Sequence, residues 1–141
     1  MTGIPMRLTL ALASIGAAVI HFMVTPDHLE EFVLFGVFFL GLGIFQAVWA
    51  GGILLKPNTL VVAAGVLVSV LVIGVWALSR TAGLPIGPEA GEPEAVGLSD
   101  VLATALEGLI ALGGTYLLVR PRRSPEERAQ RTTWEDERRA A

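Results

Sequence analysis

The chain of 141 residues is 53% hydrophobic and 16% charged, whereas an ordinary soluble domain carries about 25% charged residues. With a mean hydropathy of +0.66, that balance argues against a soluble globular domain and for a small polytopic membrane protein. The absence of cysteine removes disulfides, thiolate metal centres, iron–sulfur clusters and cysteine nucleophiles from consideration.

The apolar residues arrive in four blocks. Leu8 to Val24 holds only Thr9, Ser14 and His21 as polar members and is closed by Pro26. At about 1.5 Å per residue it is near the minimum length for a span. Phe32 to Leu55 follows and ends at Lys56-Pro57, where the proline disfavours continued helix. Leu60 to Leu78 starts behind Asn58 and ends at Ser79-Arg80, and Val101 to Val119 runs from the capping-type pair Ser99-Asp100 to Arg120-Pro121. In lipid only helices and closed barrels satisfy their backbone groups, and continuous apolar runs are not the alternating strands of a barrel. The sequence therefore predicts an all-α, four-helix transmembrane bundle over 1–120, with helices at about 8–24, 32–55, 60–78 and 101–119. A loop over 79–100 and a charged tail over 121–141 complete it. A cleavable signal peptide at Ala11–Ala18 is the weaker reading, because no polar segment follows those small residues.

Lys and Arg favour the cytoplasmic side of short loops. Both termini and the turn at Lys56 placed inside put nine of the ten positive residues in the cytoplasm and leave Arg80 outside. Asp27, Glu30, Glu31, Glu89, Glu92, Glu94 and Asp100 then lie outside. The expected protein is a multi-pass protein of the cell membrane, N-in and C-in.

Gly36, Gly43 and Ala50 stand seven residues apart in the second block, and Gly43, Ala47 and Gly51 form a small-residue stripe of the kind that lets membrane helices approach closely. The stripe serves packing within the chain or a homo-oligomer, while Phe38, Phe45 and Trp49 fill gaps or face lipid. Gly65 with Gly74 in the third block, and Gly108, Gly113 and Gly114 in the fourth, are further close-contact positions. Gly83 to Gly97 is too rich in glycine and proline for a helix. It reads as an irregular, acidic outer loop whose Leu84, Pro85, Ile86, Ala95 and Val96 anchor a cap on the bundle mouth. Arg120, Arg122 and Arg123 form a basic anchor for anionic lipid headgroups. Ser124-Pro125-Glu126-Glu127 opens a short cytoplasmic helix, and Trp134 lies beyond it.

Ionisable residues at membrane depth are costly and point to function. His21 and Glu107 are the two, both placed in the outer half of the bundle. Ser14, Ala17, Ala18 and His21 share one helix face; Asp100, Thr104 and Glu107 share another. Apposing the faces buries the polar groups of each helix against the other. Three readings stay open: a transition metal ion held by His21, His28, Glu107 and Asp100, a proton-titrating pair, or a structural hydrogen bond that includes Arg80. Gln46 and Ser69 are expected to bond across helices. No nucleophile elbow, phosphate loop or zinc-protease motif is present, and the tail's arginines alternate with acids, which does not suit nucleic acid.

The motifs A-x-x-H-F-x-x-x-P-x-H (Ala18 to His28), L-F-G-x-F-F (Leu34 to Phe39) and S-R-T-x-G-L-P-x-G-P-x-x-G-E-P-E-x-V-G-x-x-D (Ser79 to Asp100) resemble those of uncharacterised small four-helix integral membrane proteins of high-GC bacteria. The resemblance implies membrane placement and carries no catalytic role. The function expected from the sequence is that of a non-enzymatic membrane protein with an outward-facing His/carboxylate site for a cation, metal or proton. The alternative is an accessory or assembly subunit of a larger membrane complex.

Overall fold

The computed structural model describes residues 3–120 and residue 138. Four helices build it: α1 (Gly3–Glu31), α2 (Val33–Leu55), α3 (Thr59–Thr81) and α4 (Leu98–Val119). Each is long and apolar enough to cross a membrane. The basic residues Arg122 and Arg123, the short helix from Ser124 and Trp134 lie outside the described residues; Arg120 is the C-cap of α4.

The largest departure from the sequence reading is the end of α1. Pro26 was expected to close the helix after Val24, yet α1 continues through it to Glu31. Proline removes the backbone donor that would reach the Phe22 carbonyl and crowds the preceding turn, and side chains bond carbonyls on either side of that position. Thr25 Oγ1 donates to the His21 carbonyl at 2.7 Å, and the His28 imidazole bonds the Val24 carbonyl through Nδ1 at 2.8 Å. His28 is therefore a helical residue two turns beyond His21. At about 1.5 Å per residue, the 29 residues of α1 reach about 44 Å, well past a hydrocarbon core of about 30 Å.

Phe32 alone separates α1 from α2, in extended conformation at φ −157°, ψ 115°. So abrupt a reversal presses the two helices together, and Gly36 is where they meet. A Cβ there would stand 2.7 Å from the Leu29 Cα and closer still to its side chain. Gly43 lies against the Phe22 ring. Ala47 is exposed, and a Cβ on Gly51 would meet nothing within 4 Å. The cause is helical periodicity: a four-residue step drifts about 40° around the axis, a seven-residue step only about 20° the other way. The contact line on α2 is therefore Gly36, Gly43, Ala50, all buried, while the four-residue stripe turns away from α1.

Trp49, expected to fill gaps or face lipid, is in the core at 5% exposure. Its indole N–H donates to the Val61 carbonyl at 2.7 Å, and its ring covers Gly65, where a Cβ would stand 2.3 Å away. Gly113 accommodates Leu10 and Gly114 accommodates Val66. With Ala11, Ala13, Ile53, Val62 and Ile110 these residues close-pack the half of the bundle that holds the α2–α3 turn. Large apolar side chains such as Leu12, Val48, Leu60, Leu67, Leu71 and Leu112 cover the outside. Only 17% of the most apolar window of α3 is buried, at mean hydropathy 2.7, a surface whose natural solvent is lipid.

Candidate functional site

Above the packed half the bundle changes character, and the change begins at Glu107. Nine residues past Leu98 and twelve before Val119, this side chain sits near the middle of α4 and is fully buried. One polar side chain from each other helix reaches it. Ser69 of α3 donates its hydroxyl to Glu107 Oε2 at 2.5 Å, and the Gln46 amide of α2 donates to Oε1. His21 Nε2 of α1 lies 3.5 Å from the same Oε1. Ser69 also lies near mid-length, ten residues past Thr59, so the node sits near the middle of both α3 and α4.

The two faces proposed to meet touch through His21 and Glu107, while Ser14 and Asp100 take partners on α2 and α3 instead. Ser14, Ala17, Ala18 and His21 are all buried, and Ser14 Oγ donates to the Gln46 carbonyl at 2.9 Å, fastening the segment of α2 that carries the amide. A buried carboxyl is tolerable when its oxygens are bonded; here Ser69 and Gln46 donate to it and the His21 imidazole stands beside it. Cross-helix bonding by Gln46 and Ser69 was legible in the sequence; their convergence on Glu107 was not, because period and hydropathy say nothing about which residues on different helices share a depth.

A second polar cluster lies toward the loop end. Arg80, expected beside Glu107, instead bonds Glu94 and, through Nη2 at 2.8 Å, Asp100. Asp100 Oδ2 also accepts the Gly97 N–H at 2.7 Å at the start of α4. The connection 82–97 folds back on the bundle. The Glu94 N–H donates to the Ser79 carbonyl at 3.0 Å and the Gly91 N–H to the Leu84 carbonyl at 2.8 Å. Gly83 has φ +74°, and a Cβ there would stand 2.5 Å from the backbone of Gly91 and Glu92, so only glycine fits this crossing. Gly87 seats against the Phe35 ring.

Of the four residues expected as metal ligands, the structure brings His21 and Glu107 together and gives the other two different partners. His28 is tied to the Val24 carbonyl and Asp100 to Arg80. Among the described residues no group of three or more His, Asp or Glu stands close enough to share a metal ion, whereas protein metal sites ordinarily supply three or four ligands. Phe39 fills the intervening space instead, with its ring centroid 5.6 Å from that of His21 and 4.3 Å from that of His28.

Between the two polar clusters lies a cavity of about 760 Å³. Helices α2 and α3 touch near their connecting turn, at Trp49 with Val61 and Gly65. Their separation toward the loop end leaves the space. His21 lies at its floor, Arg80, Glu94 and Asp100 at its polar rim, and Leu84, Pro85 and Ile86 of the loop along its roof.

Comparison of the chain with protein-family models, with curated proteins and with solved structures returns no match.

Proposed function

We propose that this multi-pass membrane protein works by binding rather than by catalysis, and that the His21–Glu107 pair is its proton-binding site, facing outward from the cell membrane with both termini in the cytoplasm. One observation carries the reading: three helices each send one polar side chain to a single fully buried carboxyl on the fourth, in a helix long and apolar enough to cross a membrane, where such groups are costly. Packing alone is served by apolar residues, as the other half of the bundle demonstrates. A carboxyl beside an imidazole, with a cavity leading away from the imidazole, is suited to take up and release a proton. The proton is favoured over a transition metal because the pair lacks a third ligand. The orientation rests on the nine positive residues that fall on one side.

Infrared difference spectroscopy of the full-length chain in lipid, between about pH 3 and about pH 9, a range that spans the ordinary titration of carboxyl and imidazole groups, tests the site. A protonated-carboxyl band should appear and vanish with pH, be absent in Glu107→Gln, and titrate at a different pH in His21→Phe. A spectrum with no pH-dependent band assignable to Glu107 would refute the proton site.

A further inference from the structure

The charges around the cavity do not balance. Its lining carries three carboxylates, Asp27 of α1, Glu94 of the loop and Asp100 of α4, against one guanidinium, Arg80 of α3. Glu94 and Asp100 share that guanidinium between them. Two acids thus divide one positive charge, and the lining offers Asp27, exposed at the rim, no counter-charge. A surplus of negative charge beside an apolar wall attracts a cation and repels an anion.

Hydrogen-bond polarity points the same way. The His28 imidazole bonds the Val24 carbonyl through Nδ1 at 2.8 Å. A carbonyl only accepts, so Nδ1 carries the proton and Nε2 is left as an acceptor. The carboxylates of the lining are acceptors as well, and the Ser99 and Thr104 hydroxyls can accept or donate. The terminal nitrogens of Arg80 are already engaged by Glu94 and Asp100. A ligand that brings positive charge and N–H donors matches this wall; a carboxylate or phosphate does not.

The remaining surface describes the body of the ligand. Phe35, Phe38 and Phe39 of α2 stand across the space from Trp76 of α3, and aromatic faces both pack an apolar group and attract a cation. Leu34 and Phe38 of α2 and Val75 and Leu78 of α3 line the cavity yet are 40–53% exposed, on the side where the two helices part. The mouth therefore opens on the surface that lipid covers, and a volume of about 760 Å³ is within the range of small-molecule pockets.

We propose that the cavity between α2 and α3 binds a hydrophobic organic cation, an aryl-bearing ammonium whose nitrogen lies among Asp27, His28 and the Glu94–Asp100 pair and whose rings lie between Phe35, Phe38 and Trp76. This site goes beyond the proton site and does not rest on it, since the argument uses the charge, the acceptors and the aromatic walls of the cavity and not the titration of Glu107.

Titration calorimetry of the full-length chain in nanodiscs of zwitterionic lipid at neutral pH, with empty nanodiscs as the blank, tests the proposal. The probes are dibenzylamine, which is protonated there, its neutral counterpart dibenzyl ether, and the anion diphenylacetate. Dibenzylamine should bind saturably at one per chain, dibenzyl ether about tenfold or more weakly, and diphenylacetate not at all. Asp27→Asn, at an exposed position, should weaken dibenzylamine about two- to fivefold, the effect of one partly solvated charge pair. Val72→Trp, which places a ring in the cavity, should weaken it at least about tenfold; Val75→Trp, at the exposed mouth, serves the same purpose should Val72→Trp fail to fold. Val48→Phe, exposed to lipid elsewhere on α2, should leave binding unchanged. The proposal is overturned by an absence of saturable dibenzylamine binding, by dibenzyl ether or diphenylacetate binding as tightly, by unchanged affinity in Asp27→Asn, or by unchanged affinity in the folded cavity-filling variant.

Discussion

Replacing Glu107 separates the shape of the node from its charge. In Glu107→Gln the amide oxygen keeps the position of Oε1 and still accepts from Gln46 and His21. The new NH₂ group faces Ser69, whose hydroxyl turns from donor to acceptor at the same 2.5 Å contact. All three bonds survive, and the expected change in stability is under about 1 kcal/mol. Glu107→Leu is similar in bulk and orphans three donors from three helices. Double-mutant cycles in membrane helices give about 0.6 kcal/mol per bond and soluble proteins about 1.5, which brackets the loss at about 2 to about 5 kcal/mol. Reversible unfolding in mixed micelles, followed by circular dichroism, measures both. The cost should also be non-additive: Gln46→Leu combined with Glu107→Leu should cost less than the sum, because each change removes the partner the other has orphaned. Equal destabilisation by Gln and Leu, or strict additivity with Gln46→Leu, would show that the bonds to Glu107 contribute nothing to holding the helices, and the node would lose its meaning as a site.

Further tests follow from the packing and the loop. Gly36→Ala should destabilise strongly, by about 2 kcal/mol or more, because its Cβ meets the Leu29 backbone, whereas Gly51→Ala and Ala47→Leu should be neutral in the same unfolding assay; a cost at Ala47 would place a partner on the exposed stripe. Gly65→Val should cost about 3 kcal/mol by displacing Trp49, read as a blue-shift lost in tryptophan emission. Arg80→Gln removes the ion pairs to Glu94 and Asp100, and limited proteolysis near Ala90 should then accelerate while the helices remain intact. Reporters fused after Ala141 and inserted at Ala90 should be cytoplasmic and exported respectively; an intracellular Ala90 would reverse the outward placement of the site.

How much was legible in the sequence depended on which physical signal each feature left there. Four helices followed from apolar length, and their boundaries moved little for α2, α3 and α4 because lysine, proline, arginine and glycine end those runs. The end of α1 was misplaced because Pro26 is a local signal, whereas a membrane helix can run through a proline when its surroundings hold it. Gly36 and Gly43 were legible as contacts, but the four-residue extension to Ala47 and Gly51 ignored helical drift. The His21–Glu107 contact was legible because the cost of an ionisable group in lipid restricts what it faces. Gln46 and Ser69 carry no charge, so cost alone did not place them at the same carboxyl. The cavity left no signal in the sequence, since it arises from the angle between α2 and α3.

That angle links the two halves of the molecule. Trp49 and Gly65 draw α2 and α3 together at one end, while at the other Phe35, Phe38 and Phe39 face Val72, Val75 and Trp76 across open space. A bundle bent only on stability would close such a gap, because unfilled apolar volume forfeits dispersion contacts. Here the gap is held open from above, where the loop is tied to Arg80 and seated on Phe35, and from below, where Gln46 and Ser69 of the parting helices are both bonded to Glu107. The node thus sets how far α2 and α3 separate as well as what their midpoint binds. It follows that Ser69→Ala, which releases α3 alone from Glu107, should destabilise the bundle more than His21→Phe in the same unfolding assay, because the histidine contact at 3.5 Å is at the limit of hydrogen-bond distance. If His21→Phe proves the more destabilising, the serine bond does not set how far α3 stands from the node and the gap is held open by the loop alone.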